Sequence, residues 1–196
     1  MKKQILLTVL IAVFFVSNAF ALSDAYKENI YRVGKLKPVD SVVKVKVGQT
    51  APAFTLKAIS GKKVSLKDYA GKKNVVLSFV PAAWTPVCSD QWPGYNIVQE
   101  LFAENDAVLL GISVDNVPTL YSWTNQMGKL WFDVLSDFWP HGAVASRYGI
   151  LRSDGTAERA IIVIDKKGII RYIDVHDINE RPPLESIVRQ LEKLRN

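Results

Sequence analysis

The stretch that decides the fold is NVVLSFVPAAWTPVC, residues 74–88. Its first part, Asn74 to Val80, is apolar almost throughout and stops at Pro81, which is typical of a central strand buried on both faces of a sheet. A helix is predicted to follow from Thr85 towards Glu104. Cys88 therefore falls in the first turn of a helix that comes directly after a buried strand.

The segments on either side predict an α/β sandwich. The helix would pack Tyr95, Val98 and Leu101 against the sheet, and the apolar run from Ala107 to Val114 predicts a second strand, joined by a right-handed parallel crossover. The remaining predicted elements are hairpins around Ser60-Gly61 and Lys166-Lys167-Gly168, a helix over 117–127, a short strand over 134–136 and an amphipathic closing helix over 183–194. This order predicts a central mixed β-sheet flanked by helices, with an N-terminal β-hairpin.

The beginning of the chain has the pattern of a secretory signal peptide. Two lysines precede an apolar run from Ile5 to Val16, and small residues alternate before Ala21, after which we place the cut. A membrane anchor is the alternative, but this run is shorter than the roughly 20 residues that cross a bilayer. We expect a signal peptide over 1–21, an N-terminal arm over 22–46 and one domain over 47–196. The mature protein would be exported, periplasmic or extracellular, without stable membrane insertion.

The composition limits the partners and cofactors. Hydrophobic residues make up 48% and charged residues 22% of the chain, as in packed soluble domains. The basic excess is dispersed in short lysine pairs in predicted turns, which favours solvated turns over nucleic-acid binding. His141 and His176 are too isolated for a metal site. We expect neither a metal nor an organic cofactor.

Cys88 is the single cysteine, so no internal disulfide can form. A buried inert thiol, an intermolecular bridge and a reactive thiol remain open. Unpaired N–H groups at a helix start favour the thiolate, which is the nucleophile, but a helix end supplies only roughly 0.3–1 kcal/mol. A second donor is therefore needed, and the hydroxyl of Thr85, one turn earlier, is placed for that role.

At this point a resemblance becomes specific. The stretch from Pro81 to Cys88 resembles the signature of the peroxiredoxins, in which a proline, an aromatic residue and a threonine precede the peroxidatic cysteine. The resemblance extends over about residues 47–195 and includes Pro52-Ala53-Phe54, the motif SDFWPHG over 136–142, and Arg159 at the start of a strand. It is greatest to the small atypical and one-cysteine members.

The resemblance implies a thioredoxin-like fold and a thiol-dependent peroxidase that reduces hydrogen peroxide or organic hydroperoxides. Cys88 would be the nucleophile that becomes a sulfenic acid, with Thr85 as its hydroxyl partner. Pro81 would shield the pocket from water, and Arg159 would be the activating guanidinium. The sulfenic acid would be reduced by an external thiol or a thioredoxin-like reductant, and a homodimer is compatible with the resemblance.

Several alternatives stay open from the residues alone. Where many members of the family have an acidic residue, this chain has Gln91, so activity could be lower. Thr85 could be only an N-cap, and Arg159 could form a surface ion pair with Glu158 or Asp154. The competing functions are a thioredoxin-like disulfide reductase, which needs a second cysteine, and a binding module that has lost turnover.

Overall fold

The computed structural model describes residues 24–195, so the predicted signal peptide and its cut lie outside the described residues. Seven strands form one sheet. They are β1 (Thr55–Ala58), β2 (Lys63–Ser65), β3 (Asn74–Phe79), β4 (Ala107–Ser113), β5 (Asp133–Ser136), β6 (Ala160–Ile164) and β7 (Ile170–Val175). Their order across the sheet is β2-β1-β5-β4-β3-β6-β7.

The sheet is mixed, as the sequence predicts. Strands β3, β4 and β5 run parallel to one another. The predicted hairpins are confirmed as the antiparallel pairs β1–β2 and β6–β7, which lie at the two edges. Because β3 lies between β4 and β6, the loop that follows it opens at the centre of the sheet.

Helices cover both faces of the sheet. They are α1 (Asp24–Glu28), α2 (Pro86–Gly94), α3 (Gln99–Glu104), α4 (Val117–Gln126), α5 (Ala143–Tyr148) and α6 (Leu184–Leu194), with 3-10 turns over Leu66–Tyr69 and Tyr95–Val98. Within residues 24–195, none of these helices has the length and hydropathy that crossing a bilayer requires.

The buried strand β3 divides its side chains between two cores. Val75, Leu77 and Phe79 pack on the face that α5 covers, and Val76 packs on the face with α2, α4 and α6. All six residues of β3 are buried, which confirms the prediction of a central strand. Cys88 belongs to the second core, so the sulfur lies beneath the helices on that face.

The predicted single helix from Thr85 to Glu104 is wrong, because the chain forms α2, a 3-10 turn and α3 instead. Pro93 has no N–H to continue the helical hydrogen bonds, and Gly94 ends α2. The 3-10 turn advances the chain by about three residues per turn, which shifts the buried face. Phe102 is therefore buried in place of Leu101, which is 36% exposed, whereas Tyr95 and Val98 are buried as predicted.

The N-terminal arm is held along the domain by hydrogen bonds. The Lys44 N–H donates to the Tyr148 carbonyl at 3.0 Å, and the Gly48 N–H donates to the Ile170 carbonyl at 2.8 Å. Gly149 permits the first of these contacts, because its φ is 75° and a Cβ there would lie 2.3 Å from the Lys44 nitrogen.

A buried ion pair connects the arm to the start of β6. Arg152 Nη1 donates to Glu158 Oε2 at 2.6 Å, and both side chains are almost entirely inaccessible. The backbone N–H of Asp40 donates to the other oxygen of Glu158 at 2.6 Å, and Arg152 Nη2 donates to the Lys37 carbonyl at 3.0 Å. The pair is therefore attached to the backbone of the arm through two further hydrogen bonds, while Arg152 Nε makes no hydrogen bond and lies 3.8 Å from Asp154 Oδ2.

Glu158→Ala is expected to lower the free energy of unfolding by about 3–5 kcal/mol, because Arg152 would keep a buried charge without its carboxylate partner. Urea unfolding followed by circular dichroism measures the change. Glu192→Ala, at an exposed position of α6, is the matched control and should change the free energy by no more than about 0.5 kcal/mol. Equal effects of the two substitutions would show that the buried pair does not stabilise the fold.

Candidate active site

Cys88 lies in the first turn of α2. Thr85 is the N-cap residue with an extended backbone (φ −105°, ψ 153°), and Pro86 follows as the first helical residue. A proline suits this position because its missing N–H would have no helical partner there. Cys88 is the third residue of the helix, where backbone N–H groups lack intrahelical acceptors, and its side chain is fully buried. The thiol thus lies at the positive end of a helix and out of contact with water.

Arg159 places a positive charge beside the sulfur. It directly precedes β6, is 2% exposed, and its Nη2 donates to Cys88 Sγ at 3.5 Å. Its Nε and Nη2 also donate to the Ile178 carbonyl, at 3.1 and 2.9 Å. The alternative of a surface ion pair with Glu158 or Asp154 is wrong, because Glu158 pairs with Arg152 and Arg159 is turned inward.

Gln91 braces the guanidinium from the other side. Its Oε1 accepts from Arg159 Nη1 at 2.5 Å, and its Nε2 donates to Tyr95 Oη at 2.9 Å and to Ser78 Oγ at 3.2 Å. The Ser78 and Tyr95 hydroxyls are 3.0 Å apart. Burial raises the pKa of Tyr95, so its hydroxyl keeps its proton. A neutral amide, which both donates and accepts, therefore connects Arg159 to this buried group without cancelling its charge.

A cavity of about 580 Å³ opens beside these residues. Pro81, Thr85 and Arg159 all line it, so the structure brings these three predicted site residues together around the position of Cys88. The Thr85 hydroxyl donates to the Ala82 carbonyl at 2.9 Å. Donation to the sulfur or to a bound peroxide would require this hydroxyl to rotate away from Ala82, so its predicted role stays a prediction.

The loop before α2 is held by residues that the sequence analysis did not identify. The Ala83 N–H donates to Asp115 Oδ2 at 2.8 Å, and the Trp84 carbonyl accepts from the Tyr31 N–H at 2.7 Å. Trp84 has a φ of 62°, a left-handed conformation that costs energy in a bulky residue and persists only where its surroundings impose it. The ring of Tyr26 packs on Trp84 with centroids 5.9 Å apart.

Tyr26 brings the arm close to the sulfur. It is fully buried in the same core as Cys88, and burial is the main reason that its pKa is raised. Electrostatic interaction with Cys88 raises the pKa of Tyr26 further, while hydrogen bonds with Ser89 and Trp123 oppose the rise. Neither periodicity nor a motif in the arm predicts this contact. Tyr26 and Cys88 are far apart in the sequence, with most of the arm, the first hairpin and β3 between them.

The site has features of thiol chemistry and, among residues 24–195, none of a metal centre. No group of three or more His, Cys, Asp or Glu side chains in that range could hold a metal ion. A dithiol cycle is excluded because Cys88 is the single cysteine of the whole sequence. A buried sulfur beside a helix start and a guanidinium can instead attack an electrophilic oxygen as a thiolate.

The chain is similar to a well-defined group of known proteins. It matches the AhpC/TSA family over residues 47–173. Alkyl hydroperoxide reductase E from Mycobacterium tuberculosis is 41% identical over 135 residues, which cover 68% of this chain and 88% of that protein. A peroxiredoxin from Candida albicans is 36% identical, covering 74% and 78%. The crystal structure of a reduced 2-Cys peroxiredoxin from Plasmodium vivax aligns with a TM-score of 0.71 and 28% identity, over 76% of this chain and 81% of that chain.

Together the thioredoxin-like sheet and these similarities define a thiol-dependent peroxidase, an oxidoreductase. The chain belongs to the AhpC/TSA family of peroxiredoxins. Its single cysteine fits a one-cysteine mechanism. The family and the fold predicted from the sequence are confirmed, and the competing disulfide reductase and inactive binding module are set aside.

Arg159→Ala is expected to lower kcat/KM for hydrogen peroxide by about 100-fold or more, the usual effect of removing one donor from developing negative charge. It should also move the alkylation of Cys88 by iodoacetamide to higher pH, because the thiolate loses its charged partner. Stopped-flow kinetics and alkylation over a range of about three pH units either side of neutrality measure the two effects.

Arg171→Ala is the matched control for that experiment. Arg171 is a half-exposed residue of β7 that pairs with Asp165 at 2.7 Å, away from the sulfur. It should leave both the rate and the alkylation profile unchanged. Wild-type kinetics in Arg159→Ala would show that the guanidinium does not activate Cys88.

Gln91→Leu is expected to slow peroxide reduction about tenfold or more, because a hydrogen bond to a charged group contributes about 1.5–3 kcal/mol and Arg159 would lose its brace. Gln91→Glu keeps an acceptor for Arg159, although it loses the Nε2 donor, and should lose less of the rate than Gln91→Leu. Stopped-flow oxidation of both variants, with urea unfolding to confirm that each is folded, checks this expectation. A leucine variant as fast as the glutamate variant would contradict the bracing role.

Proposed function

We propose that this chain is an exported peroxidase in which Cys88 attacks a hydroperoxide and an external thiol completes the cycle. The observation that carries the proposal is the contact between Arg159 Nη2 and Cys88 Sγ at 3.5 Å, in a buried position at the start of α2. The helix end and the guanidinium both favour the thiolate over the thiol. The helix end alone is a weak donor, and its convergence with a charged guanidinium on one sulfur supports a nucleophile.

In the proposed reaction the Cys88 thiolate attacks the terminal oxygen of ROOH. A sulfur–oxygen bond forms, the oxygen–oxygen bond breaks, and RO⁻ leaves and takes a proton to become ROH. Sulfur is oxidised to the sulfenic acid and the peroxide is reduced. Arg159 is placed to stabilise the negative charge that develops on the departing oxygen.

Pro81 and Thr85 complete the proposed pocket. Both line the cavity, where Pro81 excludes water from one side and the Thr85 hydroxyl, once released from Ala82, is available to the peroxide. Because Cys88 has no accessible surface, the approach of a peroxide has to displace side chains between the cavity and the sulfur. Gln91 holds Arg159 in place during this movement and so acts as a positioning residue.

Reduction of the sulfenic acid needs two equivalents of an external thiol. The first would displace water and form a mixed disulfide with Cys88, and the second would release the free thiol. The single cysteine leaves no intramolecular route. A thioredoxin-like reductant and a homodimer, both common in this family, stay predictions for this chain.

Export is proposed on the sequence of residues 1–21, which lies before the region that matches the family. The cut after Ala21 would leave the whole described structure, from residue 24 onward, in the mature protein. Mass spectrometry of the protein recovered from its natural compartment would show a chain beginning at Leu22. A chain that retains Met1 would contradict cleavage.

Cys88→Ser is expected to abolish peroxide reduction, because the hydroxyl is not ionised at neutral pH and forms no sulfenic acid. Stopped-flow tryptophan fluorescence with hydrogen peroxide measures the reaction, with the buried Trp92 of α2 close to the sulfur as reporter. The wild-type chain should react much faster than free cysteine. Residual Cys88-independent turnover, or a wild-type rate equal to that of free cysteine, would refute the proposed nucleophile.

A further inference from the structure

The cavity beside Arg159 is larger than a peroxide group requires. Its volume of about 580 Å³ falls in the range of sites for organic ligands, roughly 300–1,000 Å³. Its walls come from four parts of the chain: residues 33–36 of the arm, residues of the loop and helix start between 81 and 87, residues between 154 and 159, and residues 178–180. Most of this space is therefore available to a group attached to the peroxide oxygen.

The arm forms one of these walls in a fixed position. The Leu36 N–H donates to Asn179 Oδ1 at 2.9 Å, and Asn179 Nδ2 donates back to the Leu36 carbonyl at 2.9 Å. Close by, the Ile178 N–H donates to the Pro38 carbonyl at 3.1 Å. This segment is thus hydrogen-bonded to the loop between β7 and α6, which a loosely attached tail would not be.

The wall that the arm contributes contains two apolar side chains that remain accessible. Val33 and Leu36 are 40% and 36% exposed, and both line the cavity. Pro81 and Val87 on the loop present further apolar surface to the same space. Apolar side chains that stay accessible at a pocket gain stability when a ligand with a hydrocarbon group covers them.

The charged groups at the cavity do not select an anion or a cation. Lys35 carries a positive charge, and Asp154 and Glu180 carry negative charges. Arg159, at the inner side, is engaged with Gln91, Ile178 and Cys88. The apolar surface and the mixed charges together favour an uncharged organic group.

We propose that Val33 and Leu36 are specificity-determining residues, which bind the hydrocarbon part of an uncharged organic hydroperoxide and direct its peroxide group towards Cys88. This inference rests on the proposed peroxidase function and adds a substrate-binding role for the arm, which lies outside the region matched to the family. The chemical step is unchanged, since the alkoxide that leaves carries the hydrocarbon group with it.

The test is a ratio of kcat/KM values for cumene hydroperoxide and hydrogen peroxide, measured in the same preparation of the full mature chain. The double variant Val33→Thr with Leu36→Asn replaces the apolar wall by polar side chains of similar size. The ratio is expected to fall about tenfold, the order of discrimination that small changes in an apolar pocket produce. Because both substrates react at the same sulfur, a general loss of activity cancels in the ratio.

Val42→Thr is the matched control, because Val42 is an arm residue that is 82% exposed and lies outside the cavity lining. It should leave the ratio at its wild-type value. The wild-type chain should also react faster with cumene hydroperoxide than with tert-butyl hydroperoxide, and faster with either than with an anionic fatty-acid hydroperoxide.

Each outcome of this design is informative. An unchanged ratio in the double variant, or a wild-type preference for hydrogen peroxide or for the anionic substrate, would overturn the role of the arm while leaving the peroxidase function intact. A wild-type chain that reduces none of these peroxides would instead refute the proposed function. If the double variant fails to fold, the wild-type substrate series still decides the inference.

Discussion

A guanidinium and a sulfur in contact, both shielded from water, are the interaction on which the rest of this structure depends. A buried arginine is costly unless a partner compensates its charge. The hydrogen-bond partners of Arg159 are a backbone carbonyl, the neutral amide of Gln91 and Cys88, and of these only the sulfur can become negative. The proposed thiolate would therefore also be the partner that compensates the buried charge of Arg159.

The fold brings the residues of this contact together from distant parts of the chain. Cys88 comes from the helix after the central strand, Arg159 from the residue before the neighbouring strand, and Ile178 from the loop after β7. Strands β3 and β6 are hydrogen-bonded neighbours, so the helix that follows β3 and the residue that precedes β6 bring Cys88 and Arg159 together. The positions of the two groups are consequently set by the sheet, and the loops need only orient them.

The parts that could be predicted from the sequence are those with local signals. The run from Asn74 to Val80, the proline that ends it and the cysteine one helical turn after Thr85 all lie within one short segment, which is enough to place a nucleophile at a helix start. The break in the helix is equally local, in Pro93-Gly94, but the apolar spacing continues across it and so predicts one helix. Arg159 was identified through the family resemblance, and its burial could not be derived from its neighbours.

The attachment of the arm to the domain could not be predicted either, and here the physical reason is different. Its attachment depends on pairs more than a hundred residues apart, such as Asp40 with Glu158 and Leu36 with Asn179, and isolated polar residues of this kind leave no periodic pattern. The direction of the Thr85 hydroxyl was also beyond prediction, because rotation about one side-chain bond decides whether it faces Ala82 or the sulfur.

Glu158 and Arg159 are neighbours in the chain, and their side chains have different partners. The first anchors the arm through Arg152 and Asp40, and the second contacts the reactive sulfur. One peptide bond thereby couples attachment of the N-terminal segment to activation of the thiol. A substitution that displaces the backbone at Glu158 would therefore also shift Arg159 relative to the sulfur.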